Sequence, residues 1–199
     1  MNKKGNNFLE EYYQYIGLDE AKARAAILKM EYQKDAFLLC CIALTYRDEA
    51  LFFKNGKARK KIKIEMMNLA KEYIDKAYEL SPLCRDVLYK KGTIYRALND
   101  CFTAIDCFIA ILESKEDNSI TYNCGGADSN YIKMMTNDAR FELYRLFYDL
   151  ERHDISDGFL REYKRNLRKG VNTIYKPLDA YTKKGIIPFS KGLFTVLRK

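Results

Sequence analysis

The sequence contains no tryptophan, a single histidine and only 3 prolines in 199 residues. Because His153 is the only histidine, a metal site built from several histidines is excluded, and a Ser-His-Asp triad is confined to one position. With few prolines and 10 glycines, long stretches rich in Leu, Ala, Lys and Glu run uninterrupted at helical spacing. The sequence therefore predicts an all-α fold with little room for strands.

Long apolar runs are also lacking. No run approaches the roughly 20 residues of a membrane span, and the polar start is not followed by the apolar core of a secretion signal. The six cysteines include no Cys-x-x-Cys pair, and Cys40, Cys41, Cys101 and Cys107 fall in helical stretches, as reduced core thiols do. We expect a cytoplasmic protein without a membrane span.

Catalytic patterns are weak. His153 follows Arg152 at a predicted helix end, where a solvated cap is the common role, and the Arg-x4-His motif of HEPN-type ribonucleases is absent because Tyr148 holds its arginine position. Cys124 before two glycines has no visible orienting partner, and no Gly-Lys-Ser/Thr follows to make a phosphate loop. We predict a non-enzymatic protein with no cofactor and no metal site. A hydrolase or nuclease using His153 is the distant alternative.

Apolar periodicity predicts a succession of antiparallel helices. Asp19 is placed to cap the second helix, Ser81-Pro82 to end the fourth and Gly170 to end the last long one. We predict one helical domain over 1–199, in these parts: N-terminal helices at 7–34, two helical pairs at 35–113 with a basic, exposed insertion at 54–63, a loop at 114–130, a divergent aromatic pair at 131–170, and a basic tail at 171–199 with a capping helix.

The pair over 84–113 carries a spaced pattern: a large residue, a small residue and an aromatic on the first helix, then Ala-x-x-x-Phe on the second. The residues are Leu88, Gly92, Tyr95, Ala104, Phe108 and Ile111. This pattern resembles the tetratricopeptide (TPR) repeat. A small residue at Gly92 would let the paired helix approach closely, with Phe108 facing it.

The preceding helices resemble the same repeat in a split form. Leu39, Ile42, Ala43 and Tyr46 match the first helix, and Ala70, Ile74, Ala77 and Pro82 match the second, 34 residues before their counterparts. About fifteen residues are inserted between these helices. In a third, degraded repeat Arg145 takes the position of a small residue.

The resemblance implies a short TPR-like solenoid of helical hairpins that binds rather than catalyses. In the family the inner face of each first helix lines a groove that holds peptides. The corresponding residues here are Phe37, Cys40, Leu44, Arg47, Asp86, Tyr89, Thr93 and Arg96. The Lys and Asn clamp that holds chaperone tails is missing, so we expect an adaptor or scaffold for another protein segment, within a larger complex or self-associated.

The net charge of +8 comes from two places. Residues 54–63 add six positive charges and no negative ones, and residues 159–199 carry 11 basic against 2 acidic side chains. Clustered cations of this kind bind phosphates, and four aromatic residues would offer rings to bases if exposed: Tyr163, Tyr175, Tyr181 and Phe189. Tyr163 also lies on an apolar stripe with Ile155, Phe159 and Leu167, which favours a core position. The alternative function is therefore a nucleic-acid-binding accessory subunit. Its candidate residues are Lys54, Lys57, Arg59, Lys60, Lys61, Lys63, Arg161, Lys164, Arg165 and Arg168.

Overall fold

The computed structural model describes residues 3–52, 57–114 and 129–175, and the side chains within 8–51, 60–114 and 129–175. All regular structure in these residues is helical, which confirms the all-α prediction. A 3₁₀ turn at Tyr32–Lys34 precedes the third helix. The α-helices are α1 (Lys3–Tyr15), α2 (Glu20–Leu28), α3 (Ala36–Phe52), α4 (Lys57–Leu80), α5 (Arg85–Ala97), α6 (Cys101–Glu113), α7 (Ser129–Asp149) and α8 (His153–Arg168).

Local signals set several helix ends. The carboxylate of Asp19 accepts the amide hydrogen of Lys22 at 3.1 Å at the start of α2, and that of Asp100 accepts from Thr103 at 3.1 Å at the start of α6. Each satisfies an amide that has no partner within its helix. Gly170 follows α8 with a φ of +83°, a conformation that favours glycine. The predicted cap at Asp19 and the predicted stop at Gly170 are confirmed.

The helices fall into two compact units, residues 1–82 and 83–199. In the first unit, α2 packs against both α1 and α3, and α3 packs along α4. Small and branched apolar side chains are buried on these helices, including Ala23 and Ile27 on α2, Ile42 on α3, and Ala70 and Ile74 on α4. The residues that match the split repeat thus form part of the buried core of this unit.

The basic insertion is the main correction to the predicted helices. The sequence pattern places residues 54–63 in an exposed connection, but α4 begins at Lys57 and runs for 24 residues, against 13 in α5. Lys, Arg and Ala are good helix formers, so the extra residues after the Asn55-Gly56 turn signal lengthen the helix. The first helix likewise begins earlier than predicted, at Lys3.

In the second unit α5 packs against α6, α6 against α7, and α7 against α8. The close approach predicted at Gly92 is confirmed, since a Cβ added there would lie 2.7 Å from Cζ of Phe108. Leu88, Ala104 and Ile111 are buried around this contact. The signature residues of the best-matching repeat therefore pack as the spacing predicts.

Aromatic rings join α7 to α8. Phe147 stacks on Phe159 with ring centroids 5.8 Å apart, and Phe141 lies 4.9 Å from Tyr163. Tyr163 is buried, as its place on the apolar stripe of α8 predicts. The basic side chains of α8 lie on the opposite, exposed side of the helix.

The described cysteines are all free thiols, and all but Cys101 are buried. Among the described residues, none of the helices combines the length and the apolar character that crossing a bilayer requires. Of the loop predicted at 114–130, residues 115–128, including Cys124, lie outside the described residues, and its last two residues instead begin α7. The predicted capping helix beyond Tyr175 also lies outside the described residues.

Candidate functional site

The predicted groove residues divide between α3 in the first unit and α5 in the second. On α3, Phe37 and Leu44 are half-buried, and Arg47 pairs with Asp48 at 2.7 Å. Cys40 is buried and is not presented at the surface. Three of the four α3 positions thus retain surface that a ligand could contact.

On α5 the predicted groove residues have partners within their own unit. Asp86 is only 2% exposed and accepts a hydrogen bond from the Tyr131 hydroxyl at 2.7 Å. Lys90 lies 3.6 Å from the same carboxylate. The Thr93 hydroxyl donates to the carbonyl of Lys90 at 2.8 Å, within its own helix. The start of this face is therefore covered by α7, which carries Tyr131.

The other two predicted residues of α5 face a buried carboxylate of α7. Nη1 of Arg96 lies 2.8 Å from Oε2 of Glu142, and Nη1 of Arg145 lies 3.5 Å from Oε1. The Tyr175 hydroxyl donates to Glu142. The Tyr89 hydroxyl lies 2.5 Å from the Tyr175 hydroxyl. Because the proton of Tyr175 is directed to the carboxylate, Tyr89 is the donor to Tyr175. Arg145, which breaks the repeat pattern, thus has a structural partner here.

One turn before Glu142, Asp138 is the second buried carboxylate of α7. The Thr173 hydroxyl donates to its Oδ1 at 2.5 Å, and the main-chain amide of Ile174 donates to its Oδ2 at 3.2 Å. We call the region lined by Tyr89, Arg96, Asp138 and Glu142 the α5–α7 cleft. Residues 171–175 occupy it.

Burial shapes the ionisation of the α5–α7 cleft. Burial raises the pKa of Asp138 to about 6, and the charge of Glu142 raises it as well. The hydrogen bonds from Thr173 and Ile174 lower this pKa and so oppose part of the shift. Burial and the nearby Glu142 raise the pKa of both Tyr89 and Tyr175 well above the usual range. Both phenols are therefore neutral donors at physiological pH, and the cleft presents carboxylate acceptors to hydroxyl groups.

Asp138→Asn should flatten the dependence of stability on pH. The folded-state pKa of Asp138 is above its ordinary value of 3.8, so the folded protein binds this proton more tightly than the unfolded chain. The resulting stabilisation is full below the ordinary value and is lost as pH rises through about 6. We expect the wild type to lose about 1 kcal/mol between pH 5 and 7.5 relative to the variant. Urea unfolding at both pH values measures the difference.

The asparagine suits this comparison because it can accept from Ile174 and donate to Thr173. The ionisable groups that face Asp138 are Glu142 on α7, Tyr89 on α5 and, through Thr173, Tyr163 on α8. Since the variant keeps all of these, its difference from the wild type isolates Asp138. Parallel pH profiles for the two proteins would contradict the assignment.

Sequence reasoning missed Asp138 and Glu142. Both interrupt the buried apolar pattern of α7, which otherwise includes Met135, Ala139 and Leu143. Carboxylates four residues apart on a buried helical face are a detectable signal, because buried charges need partners. The partners themselves lie on α5 and after α8, so the periodicity of α7 does not reveal them.

His153, the residue of the distant hydrolase or nuclease alternative, lies at the surface. His153 is exposed at the start of α8, with its ring 4.9 Å from that of Tyr148. The described residues contain no group of three or more His, Cys, Asp and Glu side chains arranged to hold a metal ion.

The predicted nucleic-acid residues fall at two places. Lys54 lies outside the described residues, as do the side chains of Lys57 and Arg59, while Lys60, Lys61 and Lys63 lie on the first turns of α4. The four predicted residues of α8 are all exposed, and Arg165 pairs with Glu162 at 2.5 Å. The exposed α8 residues are Arg161, Lys164, Arg165 and Arg168.

Of the four aromatic residues suggested for base stacking, Tyr181 and Phe189 lie outside the described residues, and the other two are engaged elsewhere. The Tyr163 side chain is buried, and its hydroxyl lies 2.9 Å from that of Thr173. The Tyr175 ring lies 4.4 Å from that of Phe141, and its hydroxyl contacts Glu142. In this conformation neither ring is presented to a base.

Comparison of the chain with models of known protein families and with curated proteins finds no match. The features of the molecule that bear on function are therefore the geometry of the α5–α7 cleft and the exposed faces.

Proposed function

We propose that this protein is a non-enzymatic, TPR-like adaptor that binds a protein partner in the cytoplasm, as a subunit of a larger complex. The observation that carries the proposal is the α5–α7 cleft, which holds a non-helical stretch of polypeptide, residues 171–175. Hydroxyl groups and a main-chain amide of that stretch donate to Asp138 and Glu142. Contacts to main chain and to alternate side chains are also used when proteins recognise peptide segments.

The packing of α5 and α6 supports the TPR-like part of the proposal. Gly92 admits the Phe108 ring, and Ala104 is fully buried beside it. The split repeat of the first unit has Ala70 and Ala77 buried at the corresponding positions of α4. Small residues at these places permit the close helix packing on which a TPR hairpin depends.

Affinity capture from the cells that make the protein tests the adaptor function. The full-length chain should retain a partner that also binds the purified protein directly. Replacing the half-buried Phe37 and Leu44 of α3 by alanine should weaken this binding about tenfold, because it removes apolar contacts worth roughly 1–2 kcal/mol. Glu79→Ala, at an exposed position of α4, is the matched control and should bind normally.

Thermal unfolding of each variant verifies that the first unit is still folded. No partner that binds the purified chain directly would argue against an adaptor. A partner that the alanine variant binds as tightly as the wild type would place the site away from α3.

The second candidate function is nucleic-acid binding, favoured by the exposed basic face of α8. Its four cations span eight residues, or about 10 Å along the helix, which is sufficient to contact successive phosphates. Reversing Arg161, Lys164, Arg165 and Arg168 to glutamate should abolish binding of labelled single-stranded RNA, measured by fluorescence anisotropy across a salt series. Reversing Lys60, Lys61 and Lys63 instead would test the α4 patch. Binding unchanged by the α8 reversal would exclude this face.

A further inference from the structure

We infer that the α5–α7 cleft recognises a short non-helical segment in which a hydroxyl residue precedes a tyrosine by two positions, and that residues 171–175 occupy the cleft in cis in place of such a segment from a protein partner. The inference rests on the proposed adaptor function and specifies the chemistry of its ligand.

One side of the segment faces the cleft. Exposure alternates along it: Val171, Thr173 and Tyr175 are half-buried, whereas Asn172 and Ile174 are exposed, Ile174 by 63%. The chain bends at Ile174 and Tyr175, where the main-chain amide of Tyr175 donates to the Thr173 hydroxyl oxygen at 3.1 Å. Two side chains therefore enter the cleft while the one between them points away.

The two carboxylates fix the order of the donors. Asp138 and Glu142 are four residues apart on α7, which separates them by about 6 Å along the helix axis. Thr173 contacts the first carboxylate and Tyr175 the second, so the segment runs alongside α7 in the same direction. The helix thus selects for donors two residues apart.

Each position has a chemical requirement. The hydroxyl of Thr173 lies between Asp138 and the Tyr163 hydroxyl, so an alanine would leave a buried carboxylate oxygen without its donor. At the second position the phenol contacts Glu142 and Tyr89 while the ring packs on Phe141. A phenylalanine would fill the space without donating.

The cleft contacts the middle position of the segment, Ile174, through its main chain. Asp138 accepts the amide of Ile174, whose side chain is exposed, so this position tolerates most side chains. A phosphate on either hydroxyl would bring negative charge against Asp138 or Glu142 and should be rejected. The cleft therefore specifies an unmodified hydroxyl-x-Tyr sequence.

The segment can leave the cleft without unfolding the helix before it. It follows Gly170, which ends α8 in the left-handed region, and its side-chain contacts with α7 are made by Thr173 and Tyr175. Removing these two side chains should vacate the cleft while the contacts of α8 with α7 remain.

The test is a titration of full-length protein into a labelled peptide, followed by fluorescence anisotropy. The probe is fluorescein-labelled Val-Asn-Thr-Ile-Tyr, blocked at its C-terminus. A release variant carrying Thr173→Ala and Tyr175→Ala should bind it about tenfold or more tightly than the wild type, whose cleft is already occupied. The control peptide Val-Asn-Ala-Ile-Phe should not bind, and a peptide with serine in place of isoleucine should bind as well as the probe.

Two results would overturn the inference: a release variant that does not bind the probe, or one that binds the control peptide equally. Circular dichroism establishes whether that variant is folded. If the release variant is not folded, amide hydrogen exchange at Ile174 in the wild type tests the proposal instead. Excess peptide should accelerate this exchange, because it competes for the cleft. An unchanged exchange rate would contradict the proposal. A wild-type dimer that the two substitutions convert to a monomer would show that a second copy supplies the segment, against the cis arrangement.

The capture assay tests the adaptor function and the peptide assay tests the recognition site, so a negative result in one does not imply a negative result in the other. Peptide binding without any partner would retain the recognition site but remove the adaptor function. A partner whose binding is unaffected by free peptide would leave the adaptor function and reject the cleft as its site.

Discussion

Replacing Glu142 by alanine should destabilise the protein by about 3 kcal/mol. Glu142 is 1% exposed, pairs with Arg96 and Arg145, and accepts a hydrogen bond from Tyr175. Breaking a buried pair by removing one partner costs roughly 3–5 kcal/mol, because the remaining charge stays desolvated and uncompensated. We expect the lower end of this range, since Arg96 retains some access to solvent. Urea unfolding followed by circular dichroism measures the loss.

Glu162→Ala is the matched control for this substitution. Glu162 also pairs with an arginine, Arg165 at 2.5 Å, but both side chains are substantially exposed. An exposed pair contributes about 0–1 kcal/mol, so the same substitution should have little effect. Glu142→Gln should fall between the two, because it retains an acceptor for the Tyr175 hydroxyl. Equal losses at positions 142 and 162 would show that Glu142 is not a buried ion-pair partner.

Gly92→Ala should destabilise the second unit by about 1–2 kcal/mol. Two opposing effects act here: alanine is about 1 kcal/mol better than glycine inside a helix, and overpacking a core costs roughly 1–3 kcal/mol. The new Cβ would lie within 2.7 to 3.0 Å of three ring atoms of Phe108. Phe108 is fully buried, and its ring packs edge-on against Tyr89, so it has little room to move. We therefore expect the steric cost to exceed the helical gain.

Gly158→Ala provides the comparison. Gly158 lies inside α8, and the nearest atom to an added Cβ is Nη2 of Arg161 at 4.0 Å. Only the helical gain applies there, and the variant should be about 0.5–1 kcal/mol more stable than the wild type. Combining Gly92→Ala with Phe108→Leu should recover part of the loss, since the shorter side chain clears the contact. Stabilisation by Gly92→Ala alone would refute the close approach of α5 and α6.

The correctly predicted helix ends and helix contacts involve residues that lie close together in the chain. Asp19 and Asp100 cap helices three residues ahead of the amides that they bind, and Gly170 ends α8 through its own backbone conformation. The contact of Gly92 with Phe108 joins adjacent helices, and the 34-residue spacing of the repeat indicates it. These interactions depend on short sequence separations and on helical periodicity.

The start of α4 shows where the local pattern misleads. The run from Lys57 to Lys63 lacks the apolar periodicity of the rest of the helix, and its charge favours an exposed connection. Its residues nevertheless have good helix propensity, and a helix already nucleated and packed from Met67 onward can extend backward at little further cost. A break in amphipathic pattern is therefore not a break in the helix.

By itself the sequence determined the helical class, most helix ends and the packing residues of the α5–α6 pair, because capping, propensity and periodicity act over a few residues. Only the tertiary structure decided that the α5 face is covered by α7 and by residues 171–175. Thr173 and Ile174 are 35 and 36 residues from Asp138, and Tyr175 is 86 residues from Tyr89. Their hydrogen bonds form only after the helices pack, since burial is what makes Asp138 and Glu142 require those donors.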